Sequence, residues 1–385
     1  MADEEYGYRA IVEDPLFLTE SDKHIQRRYL TCILILHSIS FTMLFPIYPK
    51  LLLSLLDGDT AQAASLSGWF VAAIAAVKLF SNCFWGAVSD GNIGRKKLMV
   101  FGLSCHCVAW TSIGLFPSIE MIFIARVLLG FFDAVTVLSY AIYGDLSEAG
   151  CVNMESKTAR SFGLVGVAFG IGLIVGPCLG GWLSHSISPA MPFYTAAILT
   201  ALSAFLGSVY LKETHPSLER SPTIKWSNAN PFKSLSVLVT YRPIRFMVVP
   251  LLGMEASSAI HVIWVLYTNY RFGWDDLQNG VFLSVLGCCI VVVQGPLLRL
   301  IVPKVLTEWQ TVLSGIAIKT IGLVFLASAS KSWMVFIISC AVSLDGLASP
   351  SIRAILTLHV PLEDQGKVRF SPSLLFNIHF KFFIL

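Results

Sequence analysis

The sequence predicts an all-α polytopic membrane protein, and three observations carry that prediction. Apolar residues make up 55% of the 385 positions and charged residues 13%, with a mean hydropathy of +0.71. A soluble domain carries about 25% charged residues to solvate its surface, so a chain this poor in charge has lipid as its solvent. Ten apolar runs of about 20 residues, the length that crosses a bilayer, follow one another along the chain. Lys and Arg gather at alternate junctions between those runs.

Residues 1–28 are polar and lack the charged, apolar and cleavage regions of a signal peptide, so the first run serves as an uncleaved membrane signal. The spans are expected at 29–52, 66–89, 97–116, 121–144, 161–184, 193–212, 245–268, 278–301, 309–329 and 333–356. Segment 213–244 is a long polar insertion whose Pro216, Pro222, Pro231 and Pro243 oppose a continuous helix. It divides the chain into a six-span bundle, 29–212, and a second bundle, 245–369, with 370–385 left as a tail. Two bundles joined by one linker are the layout of a repeat-built transporter.

Arg9, Lys23, Arg27 and Arg28 precede span one, Arg95, Lys96 and Lys97 follow span two, and Lys157 and Arg160 follow span four. The linker holds Lys212, Arg220, Lys225, Lys233, Arg242 and Arg245, and Arg299, Lys304, Lys367 and Arg369 continue the series. The opposite junctions hold little beyond Lys50, Arg271 and Lys331. By the positive-inside rule the N-terminus is cytoplasmic. The net charge of +3 and the lack of a basic stripe exclude a nucleic-acid partner. The nine cysteines, Cys105, Cys107, Cys288 and Cys289 among them, sit almost entirely in apolar runs without a CxxC pair, so they read as small hydrophobes. No nucleophile–base set or metal cluster emerges, so neither an enzyme nor a cofactor is expected.

Three stretches sharpen the fold class. Gly86-Ala-Val-Ser-Asp90-Gly-Asn-Ile-Gly94-Arg95-Lys96-Lys97 stands between spans two and three. Its glycines permit a tight turn, and its carboxylate and cations sit at helix ends where they form a breakable latch. In span five Gly163, Gly172, Gly176, Pro177, Gly180 and Gly181 give small residues for close helix approach and a proline for a bend. The third stretch is Trp264-Val-Leu-Tyr-Thr-Asn-Tyr-Arg-Phe-Gly-Trp274, followed by Leu286-Gly287, Val293-Gln294-Gly295 and Glu363-Asp364-Gln365-Gly366.

Together these stretches resemble the major facilitator superfamily over residues 29–367. The first is similar to its cytoplasmic Gly-x-x-x-Asp…Arg-x-Gly-Arg-Arg signature, with Gly91 in place of a basic residue and a turn one residue longer. The second resembles the glycine–proline pattern of its drug:proton antiporter branch, and the third resembles tetracycline-resistance-type members and their eukaryotic orphan relatives. The resemblance implies twelve spans, so the chain reads as ten of twelve, a six-helix N-terminal bundle plus an incomplete C-terminal one. The tail, apolar but short and carrying Pro372 and Lys381, does not span as a helix. Tetracycline exporters of this type place carboxylates where His37 and Ala109 stand here, so their export mechanism is not implied.

Ionisable groups at mid-bilayer cost about 2.5–3.5 kcal/mol on insertion scales and are functional candidates by default. By depth these are His37, Lys78, His106, Asp133, Glu255, Lys319 and Asp345, with Arg126 nearer the outer end of span four. In the fold that the resemblance implies, spans one, four, seven and ten line the central cavity. That assigns His37, Asp133, Glu255 and Asp345 to the cavity and sets His106 and Lys319 outside it. Asp133 and Asp345 look related by an internal repeat, and Arg126 matches the family's span-four arginine, which is assigned to proton coupling. The expected site is therefore His37, Lys78, Arg126, Asp133, Glu255 and Asp345, binding protons or a cationic substrate, with His37 and Arg126 tuning the acids. Asp145, Glu155 and Arg160 are expected to meet Asp90 and Arg95 as an inner gate.

The function expected is secondary active, proton-coupled export of a small organic solute by a monomer in the bilayer. Uptake of an anionic metabolite through His37, Lys78 and Arg126 is the alternative, and a non-transporting receptor or scaffold is the third reading. The sequence leaves the plasma membrane and the vacuolar or lysosomal membrane both open.

Overall fold

The computed structural model describes residues 20–89, 93–146, 154–214, 264, 267–268, 270–274, 276–302 and 304–358. Nine helical runs among them are long and apolar enough to cross a membrane. They correspond to spans one to six and eight to ten. The expected seventh span lies outside the described residues apart from Trp264, Tyr267 and Thr268, as do the tail 370–385 and most of the linker.

Several helices begin earlier than hydropathy places them. Span one starts at Glu20 and span five at Met154, each with a polar first turn. Hydropathy measures the lipid-facing part of a helix, whereas Glu, Lys, Gln and Arg propagate it beyond that boundary. Local chemistry sets the other starts. The Asp59 carboxylate accepts hydrogen bonds from the backbone of Ala61 and Gln62 at the head of span two, and Ser118 caps span four through Met121. Thr307 and Gln310 form a reciprocal capping box at span nine.

Four runs expected to be continuous are interrupted. Span one stops at Thr42, turns through Pro46 and resumes over Ile47–Leu55. Pro46 has no N–H to continue the ladder. Span four consists of Ile119–Phe132 and Val135–Asp145, with Asp133 and Ala134 between them. Span eight widens to a π-turn at Val293–Leu297 around Pro296, and span ten tightens to a 3-10 turn at Ser343–Leu347 around Asp345. Proline marks the breaks in spans one and eight, but hydropathy does not announce those at Asp133 and Asp345, because each side of the break is equally apolar.

The first bundle packs as two apolar clusters separated by a polar layer. One cluster, with Leu30, Ile33, Leu98, Leu103, Leu138 and Ile142, fills the end that carries Arg95 and Asp145, here the basic end. The other, with Met43, Leu44, Phe70, Trp110, Ile113 and Phe193, fills the opposite end. His37 and His106 lie between them, as do Ser40 and Thr200, whose hydroxyls are 2.9 Å apart. Outward-facing residues such as Val108, Ile198, Leu313 and Val324 are about two-thirds exposed (66%, 67%, 64% and 65%), the face that lipid solvates.

Span five joins the halves. A Cβ on Gly172 would lie 2.7 Å from the Ser38 carbonyl carbon, and one on Gly176 2.7 Å from the Met43 nitrogen, so span one lies directly on this face. The Thr42 hydroxyl donates to the Gly172 carbonyl at 2.7 Å. The opposite face, Gly163, Gly166 and Gly170, receives Gln294, Gly287 and Val291 of span eight. Ser284 of span eight donates to the Ile174 carbonyl at 3.1 Å. Gly181 departs from the expectation of close approach, for nothing lies within 4 Å of its Cβ position. It lies about five full helical turns past Gly163, on the same side as the span-eight seam but beyond the glycines that seam packs against, and Pro177 lies within the continuous helix Met154–Ser186.

Gly176→Val therefore overpacks the seam with span one and should destabilise the protein by about 1–3 kcal/mol, read as a lowered midpoint of thermal unfolding in detergent. Gly181→Ala should leave that midpoint unchanged or raise it, since alanine is the better helix former by up to about 1 kcal/mol. Equal destabilisation by the two would show that the seam has been misplaced.

Candidate functional site

The polar layer brings together four ionisable groups from four helices. Lys78 of span two and Asp133 of span four form an ion pair. Beside them the His37 and His106 rings, from spans one and three, stack with centroids 5.1 Å apart and planes 13° from parallel. Both imidazoles are buried and lie within Coulombic reach of Lys78 and Asp133. Asp133 occupies the break in span four, where its neighbours' backbone groups are released from the helical ladder. The Ser81 hydroxyl donates to one such carbonyl, Gly130, at 3.2 Å, and the Trp85 indole to another, Phe131, at 2.6 Å.

Lipid surroundings make the Lys78–Asp133 pair an obligate one. Leaving one charge of a buried pair without its partner costs about 3–5 kcal/mol, whereas removing both is often neutral. The pair is secure only while both groups are charged. Protonation of Asp133 would free the Lys78 ammonium to seek another anion or water.

The second bundle repeats part of this arrangement. Gly315 and Lys319 follow the start of span nine at Glu308 by seven and eleven residues, as Gly102 and His106 follow the start of span three at Arg95. Gly102 faces the Phe132 carbonyl at the break in span four, and Gly315 faces Ala348 and Asp345 at the break in span ten. Lys319 pairs with Asp345 at 3.2 Å. Each bundle thus holds an aspartate at an interrupted helix, with a titratable side chain eleven residues into the helix packed against it.

Of the six midplane candidates, the structure unites His37, Lys78 and Asp133, sets Asp345 with Lys319 in the other bundle, and keeps Arg126 apart. Arg126 does not reach the acid it was expected to tune. Its guanidinium stands over the Tyr48 ring, 3.7 Å from the centroid, and two turns of helix, about 10 Å, separate it from Asp133. Glu255 lies outside the described residues. His106 had been set aside because span three was placed away from the cavity. Its ring nevertheless turns inward onto His37, within the bundle rather than toward the cavity between bundles.

At the basic end Arg95 pairs with Asp145 and donates to the Ala141 carbonyl at 2.9 Å. Glu213, just past span six, accepts from the backbone N–H groups of Arg95 and Lys96 at 3.0 and 3.2 Å. Its carboxylate therefore caps the N-terminus of span three. Gly94 has φ of +82°, and a Cβ there would fall on that carboxylate. The Thr214 hydroxyl donates to Asp145 at 3.0 Å, and Lys212 pairs with Asp22 of span one at 2.9 Å. Glu213 and Thr214 escaped the sequence reading because they follow the last apolar residue and look like linker. Gly86 lies in the final turn of span two, while Asp90 and the side chains of Glu155 and Arg160 lie outside the described residues.

Paired charges in the interior of a polytopic helical membrane protein, with an ionic clasp at one end, set the class in which its relatives are to be sought. The model of the Major Facilitator Superfamily matches residues 30–375, and the chain belongs to that family. It is 28% identical over 352 residues to the tetracycline resistance protein, class G, of Vibrio anguillarum, covering 89% of this chain and 84% of that one. It is 26% identical over 354 residues to the class C protein of Escherichia coli, with 89% and 84% coverage. Among solved structures it resembles the human organic anion transporter MFSD10 (TETRAN), with a TM-score of 0.79 and 19% identity over 93% of this chain and 91% of that one. That structural likeness speaks to the fold.

Two outcomes follow from the pairing. Lys78→Met should sharply lower the yield of monodisperse protein in detergent, and Lys78→Met/Asp133→Asn should restore most of it; a double variant no better than the single would deny the pair. Glu213→Gln, which removes the charge from the span-three cap, should cost about 0.5–2 kcal/mol of stability, with Glu213→Ala at the upper end of that range.

Proposed function

We propose that this transporter couples proton entry to export of a small organic solute by alternating access. The observation that carries the reading is the Lys78–Asp133 pair, set at the break in span four between two apolar clusters and faced by two buried imidazoles. A proton on Asp133 dissolves the pair, and the freed lysine and the interrupted helix give the bundle a second arrangement. A solute or proton that favours one arrangement then shifts the population between them.

The basic end faces the cytoplasm, by the Lys and Arg bias. Arg95, Asp145, Glu213 and Thr214 form the inner latch, with Asp90 and Arg160 as further candidates. The linker, 213–244, thus begins inside the latch, joining bundles at 29–212 and 245–369. Asp345 and Lys319 supply the matching pair in the second bundle, with Glu255 as a further acid. Relatives named for tetracycline resistance support a drug-sized organic solute. Uptake of an anion is less favoured, because Lys78 is taken by Asp133 and Arg126 by Tyr48.

In proteoliposomes with an imposed pH gradient and a panel of tetracyclines, organic cations and organic anions, wild type should drive at least one solute against its gradient. Asp133→Asn, made together with Lys78→Met so that no charge is left unpaired, should reduce gradient-driven flux at least about a hundredfold, the lower end of the range for a lost proton-transfer group, while solute exchange at equal pH persists. Gradient-driven flux unchanged in that double variant would overturn the coupling role. Asp145→Asn should speed equal-pH exchange relative to gradient-driven flux, as expected of a weakened latch.

A further inference from the structure

Among the buried polar atoms of the first bundle that have no hydrogen-bond partner among the described residues, His37 Nδ1, His106 Nδ1, Trp110 Nε1 and Arg126 Nε lie in series, and the Tyr48 hydroxyl, within hydrogen-bonding reach of the Arg126 guanidinium, lies among them. The rings that carry them form a chain of neighbours. His37 and His106 are 5.1 Å apart, His106 and Trp110 6.3 Å, and Trp110 and Tyr48 6.3 Å, with Arg126 over the Tyr48 ring. At a rise of 1.5 Å per residue, Trp110 and Arg126 lie about 8 and 10 Å from the helix ends at Leu115 and Ile119, His106 about 14 Å, and Asp133 about 21 Å. The series therefore descends from the end opposite the basic loops to the Lys78–Asp133 pair. It runs through the otherwise apolar cluster of Met43, Phe70, Ile113 and Phe193.

Native interiors rarely leave polar atoms unsatisfied, and a row of them on one path is answered by bound water. The groups suit that role. The second nitrogen of His106 donates to the Leu129 carbonyl, which leaves Nδ1 as the nitrogen that takes a proton from one water and returns it to the next, and His37 likewise presents Nδ1. The tyrosine hydroxyl both donates and accepts, while the indole N–H only donates and so anchors a water. The Arg126 cation, at about the depth of Trp110, opposes free passage of hydronium. The charged groups that face the imidazoles are Lys78 of span two and Asp133 of span four.

We propose that His37, His106, Trp110, Tyr48 and Arg126 line a hydrated proton path inside the first bundle, leading to Asp133 and separate from the solute route between bundles. The proposal rests on the proton-coupled reading of Asp133. In the transfer an incoming proton is accepted at an imidazole Nδ1, leaves it for the next water, and the Asp133 carboxylate takes it up as Lys78 is released. No electron moves and no other bond breaks.

The full chain in lipid nanodiscs tests the path. After a downward pH step, infrared absorption should show the protonated-carboxyl band of Asp133, assigned by its loss in Asp133→Asn. In Tyr48→Phe and His106→Gln the band should reach its wild-type amplitude roughly tenfold more slowly, equivalent to about 1.4 kcal/mol on the barrier. Wild-type kinetics in both variants would overturn the path and leave the Asp133 reading intact; no carboxyl band in wild type would overturn both. Radiolytic footprinting of wild type needs no variant. Trp110 and His106, normalised to their unfolded-state labelling, should be modified well above Phe193, which is as deeply buried (1% exposed against 2% for each). Labelling no higher than that of Phe193 would also overturn the path.

Discussion

An ammonium and a carboxylate placed among lipid-solvated helices each carry a penalty of several kcal/mol unless they meet. Lys78 and Asp133 meet in the middle of the first bundle, and the surrounding architecture follows from holding them there. The break in span four puts Asp133 where the helix has no ladder to complete. Ser81 and Trp85 take up carbonyls near the break. The two apolar clusters above and below exclude other partners, and the stacked imidazoles close the layer from spans one and three.

Close helix approach makes such a layer possible. Span five places glycines on both its faces, so that span one and span eight come into backbone contact with it. The seam with span one is within the bundle, whereas the seam with span eight joins the two halves. Gln294, at the π-turn of span eight, extends toward Gly166 of span five and Gly346 of span ten. A widened turn at this junction gives span eight a point at which its two ends can reorient. The clasp at the basic end acts on the same frame. Arg95 belongs to span three and Asp145 to span four, the helices that carry His106 and Asp133, and Glu213 to the segment after span six, so the clasp ties together elements that also frame the polar layer.

Much of the fold was legible in the sequence, because hydropathy reports lipid exposure directly and Lys and Arg mark the junctions. The all-helical class and the family were readable from residues such as Gly94-Arg95 and Gly176-Pro177. Breaks were less legible. Pro46 and Pro296 signal theirs, but nothing apolar or polar near Asp133 distinguishes a broken helix from an intact one. Depth found His37, Lys78 and Asp133, yet it could not say which way a side chain turns. The position of its helix sets His106 outside the expected site, and spacing does not reveal that Arg126, two turns from Asp133, stands over the Tyr48 ring. The spacing shared by Gly102–His106 and Gly315–Lys319 was present in the sequence as a signal of the repeat. Glu213 was hidden because a helix cap has no hydropathic signature.

In the proposed cycle Asp133 exchanges its lysine partner for a proton as the solute binds and leaves. Counting protons tests this most directly. Purified protein in weakly buffered detergent solution, with a pH indicator, should release protons when a transported solute binds, and Asp133→Asn should release fewer under the same conditions. Release identical in wild type and Asp133→Asn would contradict the account.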